Sequence, residues 1–461
     1  MKNPLLLICL IFPFTMLSSY GEAKAPNILF ISVDDLNDWA GYSGHKQVIS
    51  PNMDKLAGES TWFSQAYCQY PVCGPSRASI MSGLYFHQLD SKRLQIKDDV
   101  LEEKVESMGS QLLHAYFKDN GYKTMAVGKI LHKHLPKKNL DLSGGRGGWG
   151  RYTDENGKKA KANWQSDKTL TDWAYSQTPE PKMTDSKAAK WAVERLGEKH
   201  DKPFMLMVGF LRPHVPWYVP KKYFDMYDRE KITLPPYKAD DLNDVPKAGR
   251  GTLNDGYPRT EWAIENNQWK HIVQSYLASI TFVDSKVGEV LDALEDSPYK
   301  DNTIVVLWSD HGYHMGEKNT FQKHTLWERS AVTPLLIKLP PHLQSKQSVG
   351  KCERNVGLID IYPTLLDLCN LPPNEKVVGR SLKPLLENPT QKWNFPALTY
   401  RKNNGKSIRF GHYRYIEYGD GSSELYDHSK DPNEWENVVE KADYANALKG
   451  MKAKLAESHI E

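Results

Sequence analysis

The segment NILFISVDD, residues Asn27 to Asp35, decides the fold that we predict for this chain. Its first seven residues form a continuous apolar and β-branched run, which is typical of a strand buried on both faces of a parallel sheet. Asp34 and Asp35 follow at the carboxyl end of this strand, where open α/β sheets bind ligands. Taken alone, the two carboxylates fit a solvated turn as well as a site for a hard cation.

The same arrangement recurs three times further along the chain. An apolar run predicts a short buried strand, and basic, acidic or imidazole side chains follow at its carboxyl end: Thr124–Val127 precedes Lys129 and His132, Phe204–Phe210 precedes Arg212 and His214, and Thr303–Trp308 precedes Asp310 and His311. A single Lys or His in such a place is more often an ordinary surface residue. Four strands that end in this way predict one site at the edge of a large, mostly parallel sheet flanked by helices.

A cysteine motif adds a fifth group to the predicted site. The segment Cys73-Gly74-Pro75-Ser76-Arg77 indicates a loop followed by a short helix, with Pro75 as the first helical residue and an end near Ser82. A helix N-terminus favours negative charge, so a thiolate or a bound oxyanion at Cys73 would be stabilised there. A buried structural cysteine before a helix is the alternative interpretation.

The two ends of the chain have separate predicted roles. Residues 1–25 have the layout of a secretory signal peptide, which predicts an exported protein in the periplasm or outside the cell. Residues 26–390 form the predicted catalytic domain. Residues 391–461 form a C-terminal subdomain with short alternating segments typical of a small antiparallel sheet, closed by a helix from Tyr444 to Glu457.

Several further elements are predicted between these ends. Periodic apolar residues indicate helices at Met108–Asn120, Thr184–Leu196 and Trp269–Glu295, and an interrupted one at Val356–Leu368. The polar, Gly-rich stretch 137–168 is interpreted as an ordered loop or lid because tryptophans and a tyrosine punctuate it.

Composition limits the partners of the protein. The formal net charge of +3 argues for neither nucleic acid nor a membrane surface, and no apolar run is long enough for a membrane span. Thirteen Trp and 24 Tyr are many, and exposed aromatic rings are common where sugars stack. If Cys73 is modified, Cys352 and Cys369 are the natural candidates for a disulfide, which leaves Cys68 as a buried thiol.

The motif C-x-P-S-R resembles the signature of type I sulfatases, although the usual L-T-G-R continuation is here Met81-Ser82-Gly83-Leu84. From Asn27 to about Leu371 the chain is similar to this family of the alkaline-phosphatase superfamily, and most of all to the iduronate-2-sulfatase group. Shared motifs follow in the expected order: Asp34-Asp35, Cys73 to Arg77, Gly128-Lys129 with His132, Arg212 to Pro216, Asp310-His311-Gly312, Lys323, and Glu424 to Asp427.

The resemblance implies a role for each matching residue. A maturation enzyme would convert Cys73 to formylglycine, whose hydrated aldehyde is the nucleophile of the family. Calcium would be held by an oxygen of modified Cys73 and by Asp34, Asp35, Asp310 and His311. Many relatives have Asn at the position of His311, and a nitrogen ligand is unusual for a hard cation, so His311 could contact the sulfate instead. Arg77 would orient the hydrated aldehyde, and Lys129, His214 and Lys323 would bind the sulfate. His214 or Lys323 would protonate the departing alcohol. His132 would remove a proton from the second hydroxyl.

The predicted function is therefore hydrolysis of a sulfate ester on a carbohydrate. The expected substrates are oligosaccharides of a glycosaminoglycan or of an algal polysaccharide such as ulvan or carrageenan. Walls formed by residues 212–218, by the 137–168 loop and by the C-terminal subdomain predict exo action on a terminal sugar. The alternatives are iduronate-2-sulfatase proper, a phosphonate or phosphodiester hydrolase of the same superfamily, and a non-catalytic protein that binds sulfated glycans.

Overall fold

The structure is a computed structural model that describes residues 25–89, 94–150, 152–346, 348–403 and 405–458. The predicted signal peptide lies outside these residues except for Ala25. Within the described ranges, no helix combines the length and the apolar character that a membrane crossing requires.

From residue 27 to residue 368, strands and α-helices are interspersed along the described chain. The strands are β1 Asn27–Val33, β2 Thr61–Phe63, β3 Ala66–Tyr67, β4 Lys123–Gly128, β5 Leu142–Gly145, β6 Tyr152–Thr153, β7 Lys159–Ala160, β8 Trp173–Tyr175, β9 Phe204–Phe210, β10 Trp217–Val219, β11 Thr303–Ser309, β12 Leu335–Lys338, β13 Gly350–Cys352, β14 Val356–Gly357, β15 Ala397–Arg401, β16 Gly405–Phe410, β17 Tyr413–Glu417 and β18 Ser423–Asp427. The α-helices are α1 Pro51–Gly58, α2 Cys73–Ser82, α3 Asp98–Ser107, α4 Leu113–Asp119, α5 Thr184–Leu196, α6 Lys221–Phe224, α7 Lys247–Arg250, α8 Thr260–Glu265, α9 Trp269–Glu295, α10 Glu328–Ala331, α11 Ile361–Leu368, α12 Lys383–Glu387 and α13 Ala445–Glu457.

The large sheet has eight strands in the order β13-β2-β12-β11-β1-β9-β4-β5. Its centre is parallel, because β1 pairs in parallel with β11 on one side and with β9 on the other, and β9 continues in parallel to β4. Antiparallel pairing occurs where β12 joins β11 and β2. The prediction of a mostly parallel sheet is confirmed, and the four predicted strands are its four central neighbours.

Burial on both faces explains why these central strands read as continuous apolar runs. Along β1, Ile28 and Phe30 pack into one hydrophobic core, whereas Leu29, Ile31 and Val33 pack into the other. Helices cover both sides, and the 27-residue helix α9 packs against α5 and α1 on the second face. The structure confirms the predicted bounds of α5 and α9.

The C-terminal part forms the predicted antiparallel sheet, in the order β15-β16-β17-β18, with α13 packed on β17. It joins the larger body through apolar contacts, since Leu398, Ile408, Tyr415 and Leu425 belong to the same core as the first face of the large sheet.

Several predictions about local structure are wrong. The helix expected at Met108–Asn120 begins only at Leu113, because Gly109 turns the chain at a positive φ of 73° after a separate helix, α3. The stretch Val356–Leu368 opens as a strand and a 3-10 turn before α11 begins at Ile361. The loop 137–168 contains β5, which extends the edge of the large sheet without an apolar run to announce it.

The candidate disulfide between Cys352 and Cys369 is not formed. Cys352 in β13 and Cys369 after α11 are both buried free thiols, and so is Cys68, as expected. Burial raises the pKa of Cys352 to about 11 and that of Cys369 to about 12. These thiols are packing residues, because a buried cysteine behaves as a small apolar side chain.

Candidate active site at the carboxyl edge of the sheet

The central strands β1, β4, β9 and β11 end at one edge of the sheet and bring their polar side chains together there. Asp34 and Asp35 follow β1, Lys129 follows β4 and Asp310 follows β11, and all four side chains are fully buried. Two glycines permit the close approach, since a Cβ on Gly128 would lie 1.8 Å from the carbonyl oxygen of Gly209.

Cys73 lies at the centre of this group as the first residue of α2, not two residues before the helix as predicted. Its Sγ is 3.0 Å from Lys323 Nζ, 3.3 Å from His311 Nε2 and 3.6 Å from Asp35 Oδ1. The expectation of a stabilised thiolate is wrong. Burial raises the pKa of the Cys73 thiol despite Lys129 and Lys323 nearby, so the unmodified residue is a protonated thiol.

Three carboxylates face three cationic side chains in this site. Lys129 Nζ donates to Asp34 Oδ2 at 2.6 Å, and Lys323 Nζ donates to Asp35 Oδ1 at 2.6 Å. Burial opposes charge on Asp34, but Lys129, His214 and Arg77 hold its pKa well below the usual range. Burial, with Asp34 and Asp310 close by, raises the pKa of Asp35.

Arg77 ties two of the strand ends together. Its Nε donates to Asp310 Oδ2 at 2.8 Å and its Nη2 donates to Asp34 Oδ1 at 3.2 Å. The other nitrogen, Nη1, donates to the carbonyl oxygens of Lys129 and Ile130 at 2.6 and 3.0 Å. Among the described residues, no hydrogen bond or ion pair joins Arg77 to Cys73, so its contacts hold the carboxylates and the β4 end in place.

His311 and His214 point a ring nitrogen toward the carboxylates. His311 Nδ1 lies 3.0 Å from the carbonyl oxygen of Gly312 and therefore carries the proton, which leaves the lone pair of Nε2 near Asp35 Oδ1 at 3.4 Å and Asp310 Oδ2 at 3.6 Å. His214 Nδ1 lies 2.5 Å from the carbonyl oxygen of Val215 and therefore carries the proton of this ring. The lone pair is then on Nε2, which lies 3.8 Å from Asp35 Oδ2.

The geometry offers a buried site for a metal ion. Two groups of four residues place one candidate ligand atom each within 4.8 Å of one another: Asp34, Asp35, Cys73 and His214, and Asp35, Cys73, Asp310 and His311. Asp35 Oδ2 is buried without a hydrogen-bond partner in the structure, and a neutral imidazole nitrogen beside two carboxylates is repulsive unless a cation lies between them. The residues therefore fit a cation that prefers oxygen ligands.

Asp35 itself has an unusual backbone conformation. Its φ is 61°, in the left-handed region that non-glycine residues rarely adopt. Two contacts hold it there: its N–H donates to Asp310 Oδ1 at 3.2 Å, and its carbonyl oxygen accepts a hydrogen bond from the Tyr276 hydroxyl at 2.8 Å. Strain of this kind clusters at functional sites, where the surrounding structure maintains it.

His132 is the predicted residue that the structure leaves at the margin. No hydrogen bond or ion pair links it to the other predicted residues among those described, and its Nδ1 is buried without a partner. Burial, with Lys129 nearby, lowers the pKa of His132 to about 3, so the ring is neutral. It lines a separate surface cavity with Lys97, Lys133 and Lys137.

Trp149 is the residue of this site that the sequence did not reveal. Its ring stacks on His214 with centroids 4.3 Å apart, and Lys129 Nζ lies 4.9 Å from the centre of the same ring. The loop that carries Trp149 was predicted as an aromatic lid, but no periodic pattern shows which of its rings turns inward.

A cavity of about 500 Å³ opens beside Trp149 and is called the side cavity below. It lies between the loop around Trp149 and the segment that follows β9. Its lining consists of 148–150, Tyr152, 159–161, Leu170, Ser176, Thr178, 182–185, Leu211, Arg212, Pro216 and Tyr218.

The family model for sulfatases matches residues 26–371, and the chain belongs to the sulfatase family. It is an enzyme of that family, a sulfuric ester hydrolase. A model described as the C-terminal part of N-sulphoglucosamine sulphohydrolase also matches residues 316–461.

Two relatives show the range of this similarity. A sulfatase of Formosa agariphila is 40% identical over 456 residues, which cover 95% of this chain and 88% of the relative. Iduronate 2-sulfatase of Mus musculus is 32% identical over 392 residues, covering 76% of this chain and 69% of the relative.

Solved structures show the same fold. A protein in complex with its substrate D-glucosamine-2-N,6-O-disulfate matches with a TM-score of 0.73 and 22% identity, covering 94% of this chain and 97% of that one. A phosphonate monoester hydrolase from Silicibacter pomeroyi matches with a TM-score of 0.76 and 19% identity, covering 94% of each chain. At these identities the similarity shows the fold alone.

Proposed function

We propose that this sulfatase removes sulfate from the terminal sugar of a sulfated oligosaccharide, with residue 73 as formylglycine and calcium in the carboxylate site. One observation carries the proposal: Cys73 lies between Lys323, His311 and Asp35, inside a cluster that pairs three carboxylates with three cationic side chains. The similarity to iduronate 2-sulfatase supports the choice of substrate class.

The charge balance of the site suits an anionic ester. Asp34, Asp35 and Asp310 are matched by Arg77, Lys129 and Lys323, so the cluster is close to neutral without a metal. A divalent cation held by Asp34, Asp35, Asp310 and His311 would leave two positive charges in excess. That excess would attract a sulfate ester and offset the negative charge that develops on its oxygens during hydrolysis.

Formylglycine would supply a hydrated aldehyde, which offers one hydroxyl oxygen for attack on sulfur and a second hydroxyl for release of the sulfate. An unmodified thiol is a poor substitute here, because burial raises the pKa of Cys73 and keeps it protonated. The buried position of residue 73, at the start of a helix and facing Lys323, holds this nucleophile in a fixed direction.

The lysines and histidines of the chain would bind and orient the sulfate. Lys129 and Lys323 bring their ammonium groups within 2.6 Å of Asp34 and Asp35, and these groups can turn to sulfate oxygens when a cation takes over the carboxylates. Lys323 is the candidate proton donor to the departing alcohol. His214 is the other candidate, but it would first have to take up a proton on Nε2, because its Nδ1 proton is bonded to the carbonyl oxygen of Val215. His132 is the candidate acceptor of the proton from the second hydroxyl, a role that requires it to approach residue 73 more closely than it does here.

The exo mode of action rests on the shape of the entrance. The side cavity has the volume of a pocket for a small ligand, and its walls come from the 137–168 loop and from the segment Arg212–Tyr218. The C-terminal subdomain approaches the site near Lys323, since Arg401 Nε donates to the carbonyl oxygen of the next residue, His324, at 2.6 Å. A pocket of this size accommodates one or two sugars.

The test is sulfate release by matured protein from a panel of defined sulfated oligosaccharides. We expect fast release from short oligosaccharides with sulfate on the non-reducing terminal sugar and slow release from the intact polymer. Equal rates on both would contradict the exo assignment. Faster hydrolysis of a phosphonate monoester than of every sulfate ester would favour the phosphonate hydrolase alternative, and binding of the oligosaccharides without any hydrolysis would favour a non-catalytic relative.

A further inference from the structure

The side cavity contains a buried guanidinium group that lacks a carboxylate partner. Arg212 is 3% exposed, and its Nη1 and Nη2 donate to the carbonyl oxygens of His214 and Trp149 at 3.0 and 2.8 Å. Its Nε is buried without a partner, and the ion pairs of the described residues do not include Arg212. A buried arginine is rarely found without a countercharge, because its desolvation is costly.

The nearest carboxylate does not fill this need. Asp185 also lines the cavity, but its two oxygens accept the backbone N–H groups of Leu211 at 2.7 Å and Arg212 at 2.9 Å. These bonds fix the segment after β9. Burial lowers the pKa of Arg212 and the nearby charge of Asp185 opposes this, but among the described residues no carboxylate oxygen lies within ion-pair distance of the guanidinium.

Other cationic side chains line the same cavity. Lys159, Lys161 and Lys182 join Arg212 there, whereas Asp185 is the one acidic residue in the described lining. Lys161 donates to the carbonyl oxygens of Ser166 and Thr169, and Lys182 is exposed. The cavity is therefore strongly positive, which a neutral sugar would not require.

Aromatic rings complete the lining on the side of the proposed active site. Trp149, Tyr152 and Tyr218 are lining residues, and Trp149 also stacks on His214. The ring of Trp149 is covered by His214 and by Arg146, whose guanidinium carbon lies 4.3 Å from the ring centroid, so a sugar would pack on Tyr152 while its charged substituent reaches the cationic groups. Because Trp149 borders both spaces, a group in the side cavity would be attached to the sugar that carries the sulfate or to its neighbour.

We propose that the side cavity binds a second anionic group of the substrate, a carboxylate or a second sulfate, through Arg212 and Lys182. This inference rests on the proposed function, and it narrows the substrate to an acidic saccharide with at least two negative charges. Arg212 and Lys182 are then specificity-determining residues, since a saccharide that lacks the second anion would leave the guanidinium unpaired.

The experiment uses matched pairs of sulfate esters with the matured enzyme. One pair is a disaccharide with a sulfated terminal uronic acid and its carboxyl-reduced form, and the other is a sulfated glucosamine with and without an N-sulfate. An aryl sulfate serves as a small substrate that does not reach the side cavity. We expect kcat/KM to be about 10- to 100-fold higher for the charged member of one pair, which also identifies the anion, because charge-assisted hydrogen bonds are the strong ones.

Two variants and a control test the residues. Lys182→Ala and Arg212→Gln should reduce the preference for the charged member at least tenfold, whereas Lys187→Ala, an exposed lysine on α5 outside the cavity, should keep it. The preference is a ratio of two kcat/KM values of the same variant, so a general loss of activity in Arg212→Gln cancels from it. Lys182 is exposed, so its replacement should not affect folding. Equal kcat/KM within both pairs, or preferences that neither variant changes, would overturn the inference while hydrolysis of the aryl sulfate sustains the proposed function. No hydrolysis of any ester would overturn both.

Discussion

Replacement of Asp310 by asparagine tests whether the carboxylate site holds a cation. Asp310 is fully buried at the end of β11, where Oδ2 accepts from Arg77 Nε and Oδ1 accepts from the backbone N–H of Asp35. The Asp310→Asn substitution would keep the size of the side chain and one acceptor oxygen. It would remove one of the three carboxylates that the proposed calcium ion requires.

Two separate losses of stability are expected from this change. Breaking a buried ion pair costs about 3–5 kcal/mol of unfolding free energy. The asparagine keeps one oxygen that accepts from Arg77, so without metal we expect Asp310→Asn to lose about 3 kcal/mol, the lower end of this range. Calcium at about 100 times its dissociation constant stabilises a protein that binds it by about 2.7 kcal/mol. The variant should lose this increment too, so the two proteins should differ by about 6 kcal/mol in calcium.

The assay is urea unfolding of wild type and variant, each with a chelator and with excess calcium. The matched control is Asp301→Asn, which alters an exposed aspartate in the turn just before the same strand and should shift the unfolding free energy by less than about 0.5 kcal/mol. An Asp310→Asn protein that gains as much stability from calcium as the wild type, or a wild type that gains none, would refute the assignment of the metal site.

Two further predictions concern other parts of the structure. Arg414→Met should destabilise the protein by about 3–5 kcal/mol at neutral pH, because Arg414 is 1% exposed and forms ion pairs with Glu328 and Glu434. Burial acts to raise the pKa of both glutamates, but the charge of Arg414 opposes burial and holds their pKa values below the usual range. These folded-state pKa values lie below the unfolded value of about 4.3, so the stabilisation from the two ion pairs is complete above that pH and is lost as the pH falls below it. The unfolding free energies of the wild type and the variant should therefore converge in acid. A difference in unfolding free energy that stays constant down to about pH 2 would contradict this assignment. Trp149→Leu should lower kcat for a small aryl sulfate about 3- to 10-fold, because a stacked aromatic pair contributes about 0.5–1.5 kcal/mol and here orients His214; an unchanged kcat would show that the ring does not position His214.

The sequence predicts the centre of the fold better than its periphery. Strands β1, β4, β9 and β11 are buried on both faces, so their apolar runs are unbroken and their carboxyl-end residues meet as expected. Strand β5 has no such run, because as an edge strand its residues are largely exposed. The helix boundary before Leu113 depends on the positive φ of Gly109, which pattern alone does not reveal.

In the site, too, the sequence predicts some features and misses others. It predicts which residues come together, but it does not predict features that depend on contacts between residues far apart in the chain. Asp34, Asp35, Lys129, Asp310 and His311 form one cluster, as the strand-end argument predicts. Cys73 joins them from the start of a helix, and Lys323 joins them as the family resemblance implies. The state of the Cys73 thiol was predicted wrongly because burial outweighs the helix N-terminus, and burial depends on contacts far apart in the chain. For the same reason the contact of Trp149 with His214, across 65 residues, has no local signal.

The most direct test of the central proposal is the chemical state of residue 73. Protein purified from its native host, or from a host that contains the maturation enzyme, is digested, and the peptide that spans Cys73 to Arg77 is weighed by mass spectrometry while sulfate release is measured on the same preparation. We expect an aldehyde in place of the thiol at residue 73, sulfate release in proportion to the aldehyde content, and almost none from Cys73→Ala. Full activity from protein whose residue 73 remains a thiol, or from Cys73→Ala, would contradict the mechanism.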